Sequence, residues 1–204
     1  MDDSETSAYA FTWTLYNLIQ QDDHLVILNV ALTPTVLPNA DVVGDYTVPP
    51  LAPSGIEFEA AEMCVTEQST TLVNKYLQQC AQKNISCEGK VVKGEPSSWN
   101  VDEADRISAD MVVVGSHASG LLKRTFFGSS SDYVMHNTIC PVAIIRQPEL
   151  PQTHDSLTSA GLSRKIVIAI DRSEQAFHAF KWALYNFCRE SDKVIVYHVH
   201  HPFL

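Results

Sequence analysis

A stretch that combines small, hydroxylated and basic residues runs from Gly115 to Ser131, with the sequence GSHASGLLKRTFFGSSS. It holds Lys123 and Arg124 and no acidic residue, in a chain whose formal net charge is −10. Glycines let a backbone approach an anion closely, and serine hydroxyls and the first N–H groups of a helix donate hydrogen bonds to it. These residue types suit a phosphate-binding loop. Tight turns and a helix cap are the alternative interpretation.

The spacing of this stretch matches neither of two common nucleotide motifs. Gly115 and Gly120 have the spacing of a Walker A loop, but Leu121 and Leu122 replace its Lys-Ser/Thr pair, and no G-x-G-x-x-G is present. The sequence also shows no G-x-S-x-G nucleophile motif. We therefore expect a binding protein rather than an enzyme.

Histidines near the carboxyl terminus are a weak candidate for a metal site. His198 and His200 share one face of a predicted strand, but no carboxylate or thiol lies at ligand spacing. We expect them to fill a strand, and we expect no metal site.

An internal repeat organises the elements around the glycine stretch. Residues 2–30 align without a gap to residues 171–199, with 11 of 29 positions identical. Each copy reads as a serine-capped helix, a polar turn and a buried strand. A further strand-like run, KIVIAI at Lys165–Ile170, precedes only the second copy. The first copy is therefore expected to lack its first strand, which would leave Asp2 on a loose terminus.

The rest of the chain alternates helix and strand. A helix is predicted over residues 57–83, and strands are predicted over residues 87–92, 111–115 and 142–145. This alternation predicts an α/β fold with a doubly wound parallel sheet. We divide the chain into a domain at residues 1–147, a linker at 148–164 and a partial second copy at 165–204.

The segment GSHASGLLKRTFFGSSSDYVMHNTICPVAIIR resembles the signature of the universal stress protein family, in its nucleotide-binding type. That type carries G-2x-G-9x-G-(S/T) after a strand. Gly115 matches the first glycine, Gly128 the third and Ser129 the hydroxyl residue, while Ala118 stands at the second glycine. Both repeat copies resemble the family's V-D-x-S segment at its aspartate. The resemblance implies a five-stranded, Rossmann-like sheet of the adenine nucleotide alpha hydrolase type.

The resemblance also implies a ligand, which is ATP or another adenine nucleotide, with Mg²⁺. The phosphates would lie on the glycines and serines, and adenine and ribose would lie toward Val30 and the aspartate. The implied site residues are Asp2, Val30, Gly115, Ser116, His117, Ala118, Gly128, Ser129, Ser130, Ser131 and Asp171. The implied function is nucleotide-dependent regulation in a stress response. The alternative is a dimeric interaction or adaptor module that does not bind nucleotide, which Ala118 and the missing first strand favour. Weak ATP hydrolysis is a further alternative.

The sequence also bears on the partners and the cellular location of the protein. The resemblance implies a homodimer through the apolar edge strand Val142–Ile145. Residues 165–170 are expected to fill the missing strand position, either within the chain or by exchange between two chains. The acidic net charge argues against nucleic-acid binding. Five cysteines without C-x-x-C pairing and the lack of a long apolar run favour a cytoplasmic protein outside the membrane.

Overall fold

The computed structural model of the chain describes residues 1–32, 42–43, 46–47, 55–116, 129–147 and 164–198. These residues fall into two units, residues 1–150 and residues 151–204. We call them unit 1 and unit 2. The predicted linker, residues 148–164, lies outside the described residues except for Arg164.

Unit 1 alternates helices and strands as the sequence predicts. Its helices are α1 (Glu5–Asn17), α2 (Gly55–Gln82), α3 (Pro96–Arg106) and α4 (Ser129–Asn137). Its strands are β1 (His24–Ala31), β2 (Val42–Val43), β3 (Tyr46–Thr47), β4 (Ser86–Lys93), β5 (Val112–Ser116) and β6 (Val142–Arg146).

The strands of unit 1 form two parallel pairs and one short antiparallel pair. β1 pairs with β4 over its whole length, with His24 opposite Ser86. β5 pairs with β6, with Val112 opposite Val142, while β2 and β3 form the antiparallel pair. The predicted α/β class with parallel strands is confirmed. No described strand joins β1 to β5, so the described residues of unit 1 show two separate parallel pairs, and the single five-stranded sheet stays a prediction.

The core of unit 1 lies where helices α1 and α2 cover strand β1. Phe11, Ile27, Val73, Tyr76 and Cys80 form one buried cluster. The rings of Phe11 and Tyr76 have centroids 4.7 Å apart and are tilted by 58°. Burial of such side chains contributes about 1.5–3 kcal/mol each. This cluster fixes α1 against β1.

Helix α1 begins where the sequence predicts, because Ser4 caps it. The Ser4 hydroxyl accepts a hydrogen bond from the Ser7 N–H at 3.1 Å, which satisfies one of the free amides of the first turn. Glu5 in that turn is favourable to the helix dipole. Toward the same end of the helix, Thr6 and Ala10 contact Gly115 of β5. Helix α1 therefore packs on β5, while its Phe11 joins the buried cluster that contains Ile27 of β1.

Unit 2 contains a parallel pair of strands and one helix in its described residues. These elements are β7 (Lys165–Ala169), α5 (Glu174–Trp182), a single π-helical turn (Ala183–Phe187) and β8 (Lys193–Tyr197). Lys165 lies opposite Lys193 in the β7–β8 pair. Ser173 caps α5 as Ser4 caps α1, by accepting from the Ala176 N–H at 3.1 Å.

Candidate functional site

Gly115 lies inside β5 and lacks a side chain at a point of close approach. A Cβ atom there would lie 3.1 Å from both Cγ2 and the backbone oxygen of Thr6, and 3.4 Å from Cβ of Ala10. The lack of a side chain at Gly115 therefore lets helix α1 pack closely on the strand. Tight packing, rather than a turn, explains this residue.

Ser116 ends β5 and carries a buried hydroxyl. The residue is 2% exposed, and its Oγ has no hydrogen-bond partner among the described residues. A buried polar group left without a partner costs about 1–3 kcal/mol. In α/β sheets, ligands bind beyond the carboxyl ends of parallel strands, where Ser116 stands. The hydroxyl is thus a polar atom available to a ligand.

The serine run begins helix α4, as predicted. Ser129 is exposed, Ser130 is half-buried and Ser131 is buried. Because β5 and β6 are parallel, the helix between them runs back along the sheet and starts near the carboxyl end of β5. The N–H groups at the start of a helix suit an anion. Asp132 lies in the same turn, and its exposed carboxylate opposes the effect.

Asp2 is held in a defined geometry. Its Oδ1 accepts hydrogen bonds from the Ser4 N–H at 3.2 Å, the Ser4 hydroxyl at 2.6 Å and the Ser7 hydroxyl at 2.5 Å. Burial alone would raise the pKa of Asp2, but the hydrogen bonds from Ser4 and Ser7 outweigh it and hold this pKa below its usual value. The carboxylate is therefore charged at neutral pH.

The expectation that Asp2 lies on a loose terminus is wrong. The Met1 amino group donates to the Leu28 carbonyl at 2.5 Å, and the Asn29 side-chain amide donates to the Met1 carbonyl at 2.5 Å. These two bonds tie the residue before Asp2 to strand β1. The physical reason is that β1 offers backbone and side-chain partners on the edge away from β4.

The structure brings part of the predicted site together in unit 1. Val30 is half-buried near the end of β1, and the bonds of Met1 to Leu28 and Asn29 place Asp2 near the same end. Through Thr6, the first turns of α1 also reach β5 next to Ser116. His117, Ala118 and Gly128 lie outside the described residues.

Asp171 lies in unit 2 and repeats the geometry of Asp2. Its Oδ1 accepts from the Ser173 N–H at 2.8 Å and from the Ser173 hydroxyl at 2.5 Å. The His198 Nδ1 lies 2.9 Å from the Ile170 carbonyl oxygen, which corresponds to the bond of Asn29 to Met1 in unit 1. Each copy of the repeat thus carries its own ordered aspartate.

Asn29 is a polar site residue that the sequence reasoning missed. It is 6% exposed, and its Oδ1 has no partner within the described part of the chain. The available signal was an amide inside the apolar run LVILNV, which the repeat replaces with His198. Its buried oxygen is a second polar atom near the carboxyl end of β1.

An ion network around the buried carboxylate of Glu103 was also missed, and it lies on α3 and β4. Glu103 accepts from Arg106 through both carboxylate oxygens at 2.7 Å, and Lys90 donates to it at 2.8 Å. The hydrogen bonds from Arg106, and then from Lys90, lower the pKa of Glu103 to about 2 against the opposing effect of burial. The network is fully paired, which is typical of a structural role.

An open pocket of about 650 Å³ lies apart from these residues. Its lining residues precede β1 and β4, at the amino ends of both strands: Leu15, Ile19, Gln20, Gln21, Gln82, Lys83, Asn84 and Ile85. The Lys83 ammonium already donates to the Tyr16 hydroxyl at 2.8 Å and lies 4.2 Å from the centre of its ring. We therefore place the candidate site at the carboxyl ends, where two of the three buried polar atoms without a partner in the described residues lie, Asn29 Oδ1 and Ser116 Oγ; the third, Thr138 Oγ1, lies before β6.

The described ranges hold no candidate metal cluster and no membrane-spanning helix. No group of three or more His, Cys, Asp or Glu side chains in those ranges is placed to hold a metal ion, and His200 lies outside them. Nor does any helix within them have the length and apolar character needed to cross a membrane.

Comparison with protein-family models matches residues 1–146 to the universal stress protein family. The chain belongs to this family. The match covers every element of unit 1 described above, including Ser116 and the serine run of α4. The recognition made from the glycine and serine pattern is confirmed, while the second copy at the carboxyl terminus stays a prediction.

Individual relatives agree with this assignment. Universal stress protein Sll1388 of Synechocystis is 36% identical over 84 residues, which cover 39% of this chain and 54% of that protein. A universal stress protein A-like protein of Arabidopsis thaliana is 24% identical over 141 residues, which cover 68% of this chain and 77% of that protein. The chain thus spans about half the length of the Synechocystis relative.

A solved structure supports the fold. A universal stress protein from Archaeoglobus fulgidus superposes with a TM-score of 0.65 at 16% identity, and the match covers 99% of this chain and 66% of that one. At this identity the likeness bears on the fold alone. It confirms the doubly wound α/β, Rossmann-like class.

Proposed function

We propose that this family member binds ATP or another adenine nucleotide at the carboxyl ends of β1 and β5 in unit 1, and that binding regulates its interactions in a stress response. The observation that carries the proposal is the Ser116 hydroxyl, which is buried at a strand end without a partner among the described residues. A phosphate oxygen or ribose hydroxyl would supply the missing hydrogen bond.

Other residues around Ser116 fit the same ligand. The first turn of α4 offers N–H groups to the phosphates, and the ordered Asp2 carboxylate accepts hydrogen bonds from ribose hydroxyls. Val30 provides an apolar contact for adenine. By the family pattern Gly128 would complete the phosphate loop, in which Ala118 replaces the second glycine. Mg²⁺ would accompany the nucleotide through its phosphate oxygens.

We propose binding without appreciable turnover. The described site residues comprise hydroxyls, amides and one carboxylate that already accepts three hydrogen bonds. A hydrolase needs a base that orients water against the terminal phosphate. Phosphate release from ATP at the level of the buffer is the expected result. Release well above that level, lost on substitution of a site residue, would contradict it.

The experiment is isothermal titration of the full chain with ATP and Mg²⁺. We expect micromolar binding that weakens by about tenfold or more in Ser116→Ala, because one hydrogen bond to a charged group is worth about 1.5–3 kcal/mol. Ser69→Ala on helix α2 is the matched control, since Ser69 is a buried serine in an element distant from the site in sequence. Gly128→Asp is the second site variant and should abolish binding.

A second readout separates lost contacts from lost folding. Because the Ser116 hydroxyl has no hydrogen-bond partner among the described residues, Ser116→Ala should leave the urea unfolding midpoint of the chain without nucleotide unchanged or raise it. Absence of heat from a well-folded chain would contradict the nucleotide proposal. That result would favour the alternative, an adaptor module that does not bind nucleotide.

We also propose a homodimer through strand β6. β6 pairs with β5 on one edge, and no strand covers its other edge in the described residues. Sedimentation should show a dimer that Ala143→Lys dissociates, since charge on an edge strand blocks pairing. Ile139→Lys is the control, because Ile139 is 88% exposed and lies before the strand. A monomer at all concentrations would contradict this assembly.

A further inference from the structure

Helix α2 and strand β4 each bring a cysteine close to the turn that joins them. Cys80 lies in the last turn of α2, is 0% exposed and belongs to the buried cluster of unit 1. Cys87 is the second residue of β4, is half-buried and packs against that cluster. Both are free thiols. We call them the thiol pair, of which Cys87 is the member nearer to solvent.

The packing of α2 on β4 places the thiol pair face to face. A Cβ atom on Gly89 of β4 would lie 2.2 Å from Cγ1 of Val73 and 3.1 Å from Cδ1 of Leu77 on α2. Side chains two residues apart in a strand share a face, so Cys87 faces α2 as Gly89 does. Two strand residues span about 6.6 Å, which about four helical residues match along an antiparallel helix. The position on α2 that lies opposite Cys87 is therefore close to Cys80.

The turn between the two elements fixes this arrangement. The Ile85 N–H donates to the Cys80 carbonyl at 3.0 Å, and the Asn84 N–H donates to the Ala81 carbonyl at 3.1 Å. These are the two hydrogen bonds of a Schellman motif, and Asn84 has the left-handed φ of 56° that the motif requires. The end of α2 is therefore held at the start of β4, with the thiol pair on either side of the turn.

The two thiols interact directly, since the Cys87 thiol is a hydrogen-bond partner of the Cys80 thiol. Burial, and after it this neighbouring thiol, raises the pKa of Cys80 to about 12. Cys80 is therefore protonated at neutral pH and unreactive toward an oxidant in solution. A first reaction of the thiol pair must take place at Cys87.

We propose that the thiol pair is a modification site at which a hydroperoxide forms a reversible disulfide between Cys87 and Cys80. The Cys87 sulfur attacks one oxygen of the hydroperoxide, the O–O bond breaks, and the second oxygen leaves with the thiol proton as an alcohol or water. The Cys80 sulfur then attacks the sulfenic sulfur of Cys87, so that an S–S bond forms, the S–O bond breaks and the hydroxyl group leaves with the Cys80 proton as water. Two thiols are oxidised and one hydroperoxide is reduced.

The surroundings of the thiol pair suit both steps. Residues 82–85, which separate the pair in sequence, line the open pocket of about 650 Å³, so a small oxidant has access to the junction. Cys80 meets the sulfenic acid from the buried side, which favours the disulfide over a second oxidation of Cys87. The disulfide would close a ring of eight residues and fasten the end of α2 to β4.

The test treats the folded full chain with hydrogen peroxide, blocks the remaining thiols with N-ethylmaleimide and digests the chain with trypsin without reductant. Trypsin cleaves after Lys75, Lys83 and Lys90, so the two cysteines fall in separate peptides, residues 76–83 and 84–90. Mass spectrometry should show these peptides as one linked species, lighter than their sum by two hydrogen atoms. Dithiothreitol added before digestion should restore the two separate peptides.

Single substitutions separate the two steps. Cys64→Ser is the matched control, because Cys64 is exposed on the same helix, and this variant should form the link as the original chain does. Cys80→Ala should stop after the first step, so that dimedone, a reagent for sulfenic acids, labels Cys87. Cys87→Ser should leave Cys80 unoxidised, because Cys80 is not exposed. Circular dichroism before treatment shows that each variant is folded.

Three outcomes would overturn the proposal. One is a folded, peroxide-treated chain in which the two peptides stay separate. Another is a link that forms only after unfolding in urea, which would mean that the fold keeps the thiols apart. The third is loss of the link in Cys64→Ser, which would assign it to exchange through the exposed cysteine.

Discussion

At the scale of single residues, Gly115 and Ser116 are neighbours in β5 with different physical roles. Gly115 lets helix α1 pack closely on the strand, and Ser116 carries a buried hydroxyl without a hydrogen-bond partner in the described residues. The sequence pattern grouped both as phosphate contacts. Spacing alone cannot separate these two roles. A glycine that lets a helix pack closely on a strand and a glycine that lets an anion approach the backbone look identical in a sequence.

Gly115→Ala should therefore destabilise the ligand-free chain. Its Cβ would lie 3.1 Å from the backbone oxygen of Thr6, so the start of α1 must shift. We expect a loss of about 1–3 kcal/mol in the free energy of unfolding, measured with urea. Gly89→Ala should cost more, since its Cβ would lie 2.2 Å from Cγ1 of Val73. An unchanged midpoint for Gly115→Ala would contradict the packing explanation.

Glu103 should make the free energy of unfolding fall at low pH. Its pKa is about 2 in the folded chain against a usual value of 4.5, so its contribution is complete above about pH 4.5 and is lost as the pH falls toward 2. Glu103→Gln should flatten the dependence of the urea midpoint on pH in that window. Glu59→Gln is the control, because Glu59 is exposed on α2. Equal slopes for Glu103→Gln and the original chain would rule the network out as the cause.

At the scale of elements, local patterns predicted most boundaries closely. The helix expected over 57–83 spans Gly55–Gln82, and the strand expected over 87–92 spans Ser86–Lys93. Apolar periodicity and capping act within a few residues, so a sequence shows them directly. The contact of Thr6 with Gly115 depends on residues more than a hundred positions apart, which no local pattern reveals.

The serine caps of the two repeat helices provide a paired test at this scale. Ser4→Ala should destabilise the start of α1 by about 1 kcal/mol, because the Ser7 N–H loses its acceptor. Ser173→Ala should do the same to α5 through the Ala176 N–H. Hydrogen exchange should rise several-fold at the amide whose acceptor is removed and stay unchanged at the other. Equal acceleration at both amides in either variant would contradict independent caps.

At the scale of the whole molecule, the repeat predicted more than the composition did. It predicted a strand before the second helix, and the described residues show β7 before α5. What it could not predict is the state of Asp2. The sequence does not show what holds Asp2 in place. In the structure, Met1, the residue before it, is hydrogen-bonded to Leu28 and Asn29 of β1.

The two aspartates allow a test of which copy carries the proposed nucleotide site. Asp2 belongs to unit 1 with Ser116 and the first turn of α4, whereas Asp171 belongs to unit 2. Each carboxylate makes the same kind of local turn, so removal of either should disturb its own helix start to a similar degree. This makes Asp171→Ala a matched control for Asp2→Ala.

In a titration of the full chain with ATP and Mg²⁺, Asp2→Ala should weaken binding by about tenfold, because ribose hydroxyls lose a charged acceptor worth about 1.5–3 kcal/mol. Asp171→Ala should change the affinity by less than about twofold. The reverse order would contradict the assignment of the ribose contact to Asp2. Equal losses would mean that both aspartates act through the start of a helix and that neither touches the nucleotide.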